Sequence, residues 1–273
     1  MEHHLSGLTV LLNKIFGKYA LGLLAALHVK PNNPAAPIPE HVAMSLVVFV
    51  LGVAGTLWLK RRLSVERPGA AQQIAEYLLT NPLGFGIRDL LDENVGHHGR
   101  AFVPMVGSVS IFILMSNLLS VIPAFTSPTV EKTVPLGCAI VTFAYFNWQG
   151  LRHHGLAGYA MQFAGPVKTI FWLIFLGPVE LISTSARLLS LTVRLWANIF
   201  ASELVYVIFL GLLIMPVTHV AAKIPALGYL LGIFPATIPV LFIGLHVFVA
   251  VIQTYVFTIL PSIYLGMAVS EEH

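Results

Sequence analysis

Four charged side chains, Glu180, Arg187, Arg194 and Glu203, fall inside one apolar stretch that runs from Val179 to Met215. A charge at mid-bilayer costs about 3 kcal/mol on insertion scales, so such residues either serve a purpose or sit near helix ends and snorkel to the interface. Glu180 and Arg187 lie close enough to one end for the second reading to apply. Arg194 does not, with 15 residues of the stretch before it and 21 after it. On a helix, positions seven apart share a face with a slow drift, so Glu180, Arg187 and Arg194 form one row. Ser190 and Asn198, four residues to either side of Arg194, join that face. Glu203 lies about 180° round the helix and about 13 Å along it, and Glu180 about 21 Å in the other direction. Two carboxylates flanking a fixed cation, on different faces, suit two separate proton paths divided by a positive charge. Arginine fits the dividing role because it stays protonated in proteins.

The next apolar stretch, Pro225 to Val269, carries His246 and Gln253 on one face. If the two stretches cross the membrane antiparallel with Gln253 level with Arg194, His246 lies about 10 Å further outward, near the depth of Glu203. Histidine titrates near neutral pH, so His246 and Glu203 at one depth would make a proton relay. The plainer alternatives are a packing histidine for His246 and interhelical glue for Gln253; agreement in depth across both pairs favours the relay. Nothing points to a metal or cofactor. The only cysteine is Cys138, and the pairs His3-His4, His97-His98 and His153-His154 are far apart and read as surface residues. Neither a zinc-protease helix motif, a nucleophile elbow, a phosphate loop nor a dinucleotide fingerprint is present. His219 and Lys223, after Pro216, read as residues of a solvated turn, and Trp196 as a packing residue.

The elements that position these residues follow from composition. Of 273 residues, 57% are hydrophobic and 10% charged, with mean hydropathy +0.84. Soluble domains average about 25% charged residues, which excludes a soluble enzyme, a nucleic-acid binder and a disordered chain. The fold class is an all-α polytopic membrane protein with about five transmembrane helices, the last two long and steeply tilted, plus an amphipathic surface helix. Spans are expected at about 42–59, 101–122, 134–150, 169–215 and 225–269, with a surface segment at 69–95 broken at Asn81-Pro82 and Gly84. Residues 1–41, proline-rich from Pro31 to Pro39 and without a signal-peptide pattern, read as a polar extramembrane segment. Lys60, Arg61 and Arg62 close the first span and Arg152 the third, so both ends belong to the cytoplasm and the N-terminus lies outside. The tail Ser270–His273 is then cytoplasmic.

The run Val179–Met215 would make about 55 Å of helix against a hydrocarbon core of about 30 Å. Pro178 and Pro216 bracket it, and a rigid helix of that length fits the core only at about 55–60° from the normal. No internal repeat is evident, which weighs against inverted-repeat transporters.

Leu191-Thr192-Val193-Arg194-Leu195-Trp196-Ala197-Asn198-Ile199-Phe200-Ala201-Ser202-Glu203 resembles the signature of subunit a of the F-type ATP synthase. His246 to Gln253, continuing to Tyr264-Leu265-Gly266-Met267-Ala268, resembles the last helix of that family, and Asn117-Leu118-Leu119-Ser120-Val121-Ile122-Pro123 its second span. The likeness covers about residues 40–273 and leaves the first 40 unmatched.

The resemblance implies a non-catalytic membrane stator that faces a rotating ring of c subunits, joined to peripheral-stalk b subunits and, through the complex, to the soluble ATPase head. It implies that Arg194 is the essential arginine, that Glu203, His246, Asn198, Ser120 and Asn117 serve the outer half-channel, and that Glu180 and Ser190 lie near the inner one. Gln253 and Arg187 would lie close to the arginine. The coupling ion is expected to be the proton, and the location a bacterial plasma membrane. The sequence departs from the family at Ser120, where many relatives are acidic, at Ala197 and Ser202, where glycine is common, and at Arg187, where some carry lysine. The rival readings are a self-contained transporter with Arg194 and Glu203 in its site, an intramembrane hydrolase, and an assembly factor.

Overall fold

A computed structural model describes residues 6–31, 33–81, 84–122, 125–162, 170–223 and 225–269. All regular structure among them is helical: α1 (Gly7–Ala26), α2 (Glu40–Lys60), α3 (Ala70–Leu79), α4 (Ile87–Val95), α5 (Gly99–Leu119), α6 (Thr133–Gln162), α7 (Ile170–Lys223) and α8 (Pro225–Val269), with 3-10 turns at Gly96–His98 and Pro128–Val130. The tail Ser270–His273, the start of the outer loop at Pro123 and residue 169 lie outside the described residues.

The surface segment forms two pieces, α3 and α4, parted around Asn81 as its breakers require. The Asn81 backbone N–H donates to Asp89 at 2.9 Å, and the Asn81 side chain accepts from the Phe85 N–H at 3.1 Å, which turns the chain between them. Buried Ile87, Leu90 and Leu91 then seat α4 on the ends of α5 and α8.

Among the described residues five helices are long and apolar enough to cross a membrane, the number expected, but the set differs. Helix α1 is among them, so the reading of residues 1–41 as a polar segment needs correction. Its Asn13, Lys14 and Lys18 interrupt an otherwise apolar run, and the prolines that suggested a loop all follow it. The contacts of α1 with α2 gather at the start of α2. Ser6 N–H donates to Glu40 at 3.1 Å, Asn13 exchanges two 2.9 Å bonds with the backbone of Ile38, and Gly17 faces Pro37.

Helix α6 is not in the apolar set, because Thr142, Asn147 and Gln149 dilute it. It tolerates them by returning Thr142 to the Cys138 carbonyl at 2.9 Å and Asn147 to the Phe143 carbonyl at 2.7 Å. It continues beyond 150 to Gly155, whose φ of 70° kinks it, and the piece after the kink folds back so that Tyr159 donates to Asn147 at 2.8 Å.

Helix α7 is a single helical element of 54 residues. It runs through both Pro178 and Pro216, so these do not bracket it, and His219 and Lys223 belong to the helix rather than to a turn. Proline in a helix frees one carbonyl, a defect that membrane proteins accommodate through neighbouring groups and local adjustment. Helix α8 has the expected bounds.

The core is a seam between α7 and α8. Thr184, Leu191, Leu195 and Ile199 are buried on α7, and His246, Ala250, Gln253 and Phe257 on α8. Spacings of three and four residues keep one narrow face of each helix turned to the other. Ile113 of α5 and Ala139 of α6 close this layer. A second layer of Phe102, Val106, Phe146 and Leu265 joins α5, α6 and α8 to α4.

Where α8 meets α4, a Cβ built on Gly266 would collide with the Asn94 carbonyl oxygen, and Asn94 Nδ2 reaches Ser262 Oγ at 3.3 Å. Backbone cannot yield as a flexible side chain can. Gly266→Ala should therefore destabilise the assembled protein by about 1–3 kcal/mol, the usual cost of overpacking. The check is a lower thermal-inactivation midpoint of the purified complex, with Gly244→Ala, which has open space at its Cβ, as a neutral control.

Candidate functional site

The polar residues singled out by sequence fall into three groups along α7. In the outer group His246 is the hub. It reaches the seam from α8 and is 8% exposed as a residue, so an unbonded ring nitrogen would be costly there. Its Nδ1 lies 2.9 Å from Ser202 Oγ on α7, and its Nε2 lies 2.9 Å from Ser120 Oγ and 3.0 Å from the Asn117 carbonyl oxygen at the end of α5. A carbonyl only accepts, so Nε2 carries a hydrogen and donates. Both hydroxyls can turn from donor to acceptor, so the ring keeps its partners whether neutral or protonated.

Asn117 is fully buried; its Oδ1 accepts from Thr129 Oγ1 at 2.7 Å. Thr129 lies 2.7 Å from Ser127 Oγ, which donates to the Ser116 carbonyl at 2.9 Å. The Glu203 carboxylate lies beside the Ser127 backbone. Glu203 and His246 are not hydrogen-bonded to each other; Asn117, Thr129 and Ser127 lead from His246 to the loop beside Glu203. Ser127 and Thr129 were missed by sequence reasoning. Their signal was faint: two hydroxyls around Pro128 in a loop between spans, where solvated polar residues are ordinary.

In the middle group Arg194 is exposed on α7, turned away from its neighbours Leu191 and Leu195 in the core. It donates to Ser190 Oγ at a long 3.4 Å. The ion pairs among the described residues, Arg88–Asp92 and Arg187–Glu180, do not include it. Gln253 does not meet Arg194 directly. It accepts from Asn198 Nδ2 at 3.2 Å, one helical turn outward of the expected level. The two helices are therefore in nearly the expected register, with Ser202 against His246 and Asn198 against Gln253. Trp196 stacks on Phe200, ring centroids 5.4 Å apart.

In the inner group Glu180 and Arg187 form an ion pair at 3.4 Å. The Arg187 guanidinium also lies over the Tyr264 ring, 5.2 Å from its centroid, a cation–π contact. Arg187 is thus engaged with Glu180 and α8 rather than with Arg194. Among the described residues no group of His, Cys, Asp and Glu could hold a metal ion.

Fold and site together define a polytopic helical membrane protein, with a buried polar network at one level of its two longest helices and an exposed arginine beside it. The model of the ATP synthase A chain family matches residues 42–266, and the chain belongs to that family. It is 36% identical to ATP synthase subunit a of Koribacter versatilis over the full length of both chains. It is 37% identical to that of Solibacter usitatus over 88% of this chain and 91% of the other, and 35% identical to ATP synthase subunit a 1 of Syntrophotalea carbinolica over 85% and 87%. Members of this family are the proton-translocating stator subunit of the synthase.

The outer network gives a direct test. Thr129→Val keeps the shape but strands the buried Asn117 Oδ1, an unsatisfied group that costs about 1–3 kcal/mol. Thermal inactivation of the purified complex should move to lower temperature for Thr129→Val and stay near wild type for Thr129→Ser.

Proposed function

We propose that this chain supplies two offset half-channels to a ring of c subunits and couples proton flow to ATP synthesis or hydrolysis. The observation that carries this reading is Arg194: a permanent cation on the outer surface of α7, without an ion-pair partner among the described residues. A cation so placed is costly in lipid and calls for an anion on a neighbouring subunit. A ring carboxylate answers that need. It can pass through lipid only when protonated, and on losing its proton it is drawn to Arg194. Protons reach it through Glu203 and the His246 network and leave near Glu180. Arg194 stands between the two paths and opposes direct leakage. The driving force is about 2.3 kcal/mol per charge per 100 mV, plus the pH difference. The ATP chemistry belongs to other subunits, and peripheral-stalk b subunits hold the stator.

The proposed topology has α2, α5, α6, α7 and α8 crossing the membrane, N-terminus outside and C-terminus cytoplasmic, in a bacterial plasma membrane. Helix α6 is included because it packs beside α7 and α8 and returns Thr142 and Asn147 to its own carbonyls. Helix α1 is placed across the outer end of α2, since its bonds reach only residues 38 and 40 and its Gly17 faces Pro37. Helix α7, at about 81 Å, must lie far from the membrane normal, which lets Glu180 and Glu203 meet the ring at different points round its edge.

Arg194→Ala should abolish ATP-driven proton pumping in inverted vesicles while the complex still assembles, and Arg194→Lys should restore it incompletely, since a lysine shielded from water at the proposed ring interface can lose its proton. Pumping at the wild-type rate in Arg194→Ala vesicles would overturn the assignment. Glu203→Gln and His246→Ala should each slow pumping, and the double variant should lose little more than the worse single one, because groups on one path do not add. Losses that multiply would count against a shared path.

A further inference from the structure

At the basic end of α2 the chain forms a corner that the half-channels do not use. A cleft of about 360 Å³ lies between the last turn of α2 and the first turn of α3, lined by Trp58, Leu59, Arg62, Ala70 and Ala71 among others. Its lining is mostly apolar; the polar members are Gln72 and Arg62, whose guanidinium sits 4.9 Å from the centre of the Trp58 ring. Lys60, Arg61, Arg62 and Arg67 are all exposed around it. The acidic residues of the corner are Glu66, exposed on the loop, and Glu76, which already accepts from Gln72 Nε2 at 2.7 Å.

The corner is preformed. Gln72, 8% exposed, accepts from the Ser64 N–H at 2.9 Å and donates to the Ser64 carbonyl at 3.0 Å, tying the loop after α2 to α3. Beside the cleft, Leu57 of α2 and Ile74 and Leu78 of α3 expose apolar side chains. Helix α2 is long and apolar enough to cross the membrane, and its tryptophan and basic cluster mark the membrane interface.

We propose that this corner is a binding site for an anionic phospholipid. The glycerol and the first methylenes of the lipid enter the cleft between Trp58 and Ala71. The acyl chains continue over the apolar faces of α2 and α3, and the phosphate lies at the rim against Arg62, with Arg61 and Arg67 within reach. Basic pockets at the cytoplasmic ends of spans hold anionic headgroups in this way. Neither the cleft nor the charge would suffice alone: the first selects a lipid over free phosphate, the second an anionic over a zwitterionic one.

The test uses the whole complex in nanodiscs of phosphatidylcholine with a trace of photoactivatable phosphatidylglycerol. The expected result is labelling of residues 58–72, competed by unlabelled phosphatidylglycerol but not by added phosphatidylcholine or inorganic phosphate. Arg61→Gln with Arg62→Gln should lower labelling at least fivefold. Ala71→Trp, which fills the cleft and leaves the charges, should do the same. Because the competition is read on the unaltered complex, it stands even if a variant fails to assemble. Equal competition by phosphatidylcholine or by inorganic phosphate overturns the proposal. So does full labelling in assembled Ala71→Trp, which would mean diffuse surface attraction, or protection of residues 58–72 by a neighbouring subunit.

Discussion

The structure turns on one constraint: a guanidinium that cannot be neutralised is held in a protein whose surroundings cannot solvate it. A group so placed is tolerable only with a partner, and the fold offers Arg194 none of its own among the described residues. Ser190 is its nearest polar contact, a neutral hydroxyl at 3.4 Å. The other cation of that row, Arg187, has both a carboxylate and an aromatic face. Two arginines seven residues apart on one helix are thus treated in opposite ways, one satisfied within the chain and one left exposed on its flank.

The α7–α8 seam makes this division possible. Leu191, Leu195 and Ile199 fix the rotation of α7 against α8, so Arg194 must point elsewhere. The same rotation turns Asn198 and Ser202 toward α8, where Gln253 and His246 meet them. Apolar packing therefore sets which polar residues become internal and which remain external. Substituting the leucines would disturb the site without touching any charged group.

The main architecture was legible in the sequence because apolar run length is a direct signal of membrane helices, and α8 has the bounds read from it. The depth match of α7 with α8 was legible too, since helical rise converts spacing into distance. What was hidden required knowledge of neighbours. Helix α1 looked like a polar lead-in because the prolines of residues 31–39 masked an apolar run just before them. Pro178 and Pro216 looked like ends because a lone helix pays for proline, whereas packed helices relieve it. The one-turn offset of Gln253 goes with the rotation of α7, which leaves Arg194 exposed and brings Asn198 to Gln253. Ser127 and Thr129 come from a loop, where spacing carries no information about depth, yet they occupy the centre of the outer network.

The outer and middle polar groups also differ in how firmly they are held, and the difference fits the tasks proposed for them. His246 is bound at both ring nitrogens by three residues from two other helices, and the Asn117 carbonyl and Oδ1 at its side are bonded as well. A site that passes protons along fixed distances benefits from such restraint, because proton transfer between heavy atoms weakens steeply as they part. Arg194 is the reverse case, tethered by one long bond at the end of a flexible stem. In the proposed function this cation follows a moving carboxylate, so it could not be locked in one rotamer, and a strong internal ion pair would have to be broken at every passage. A rigid network beside a loosely held charge would suit the function proposed above, a stationary subunit serving sites that move past it.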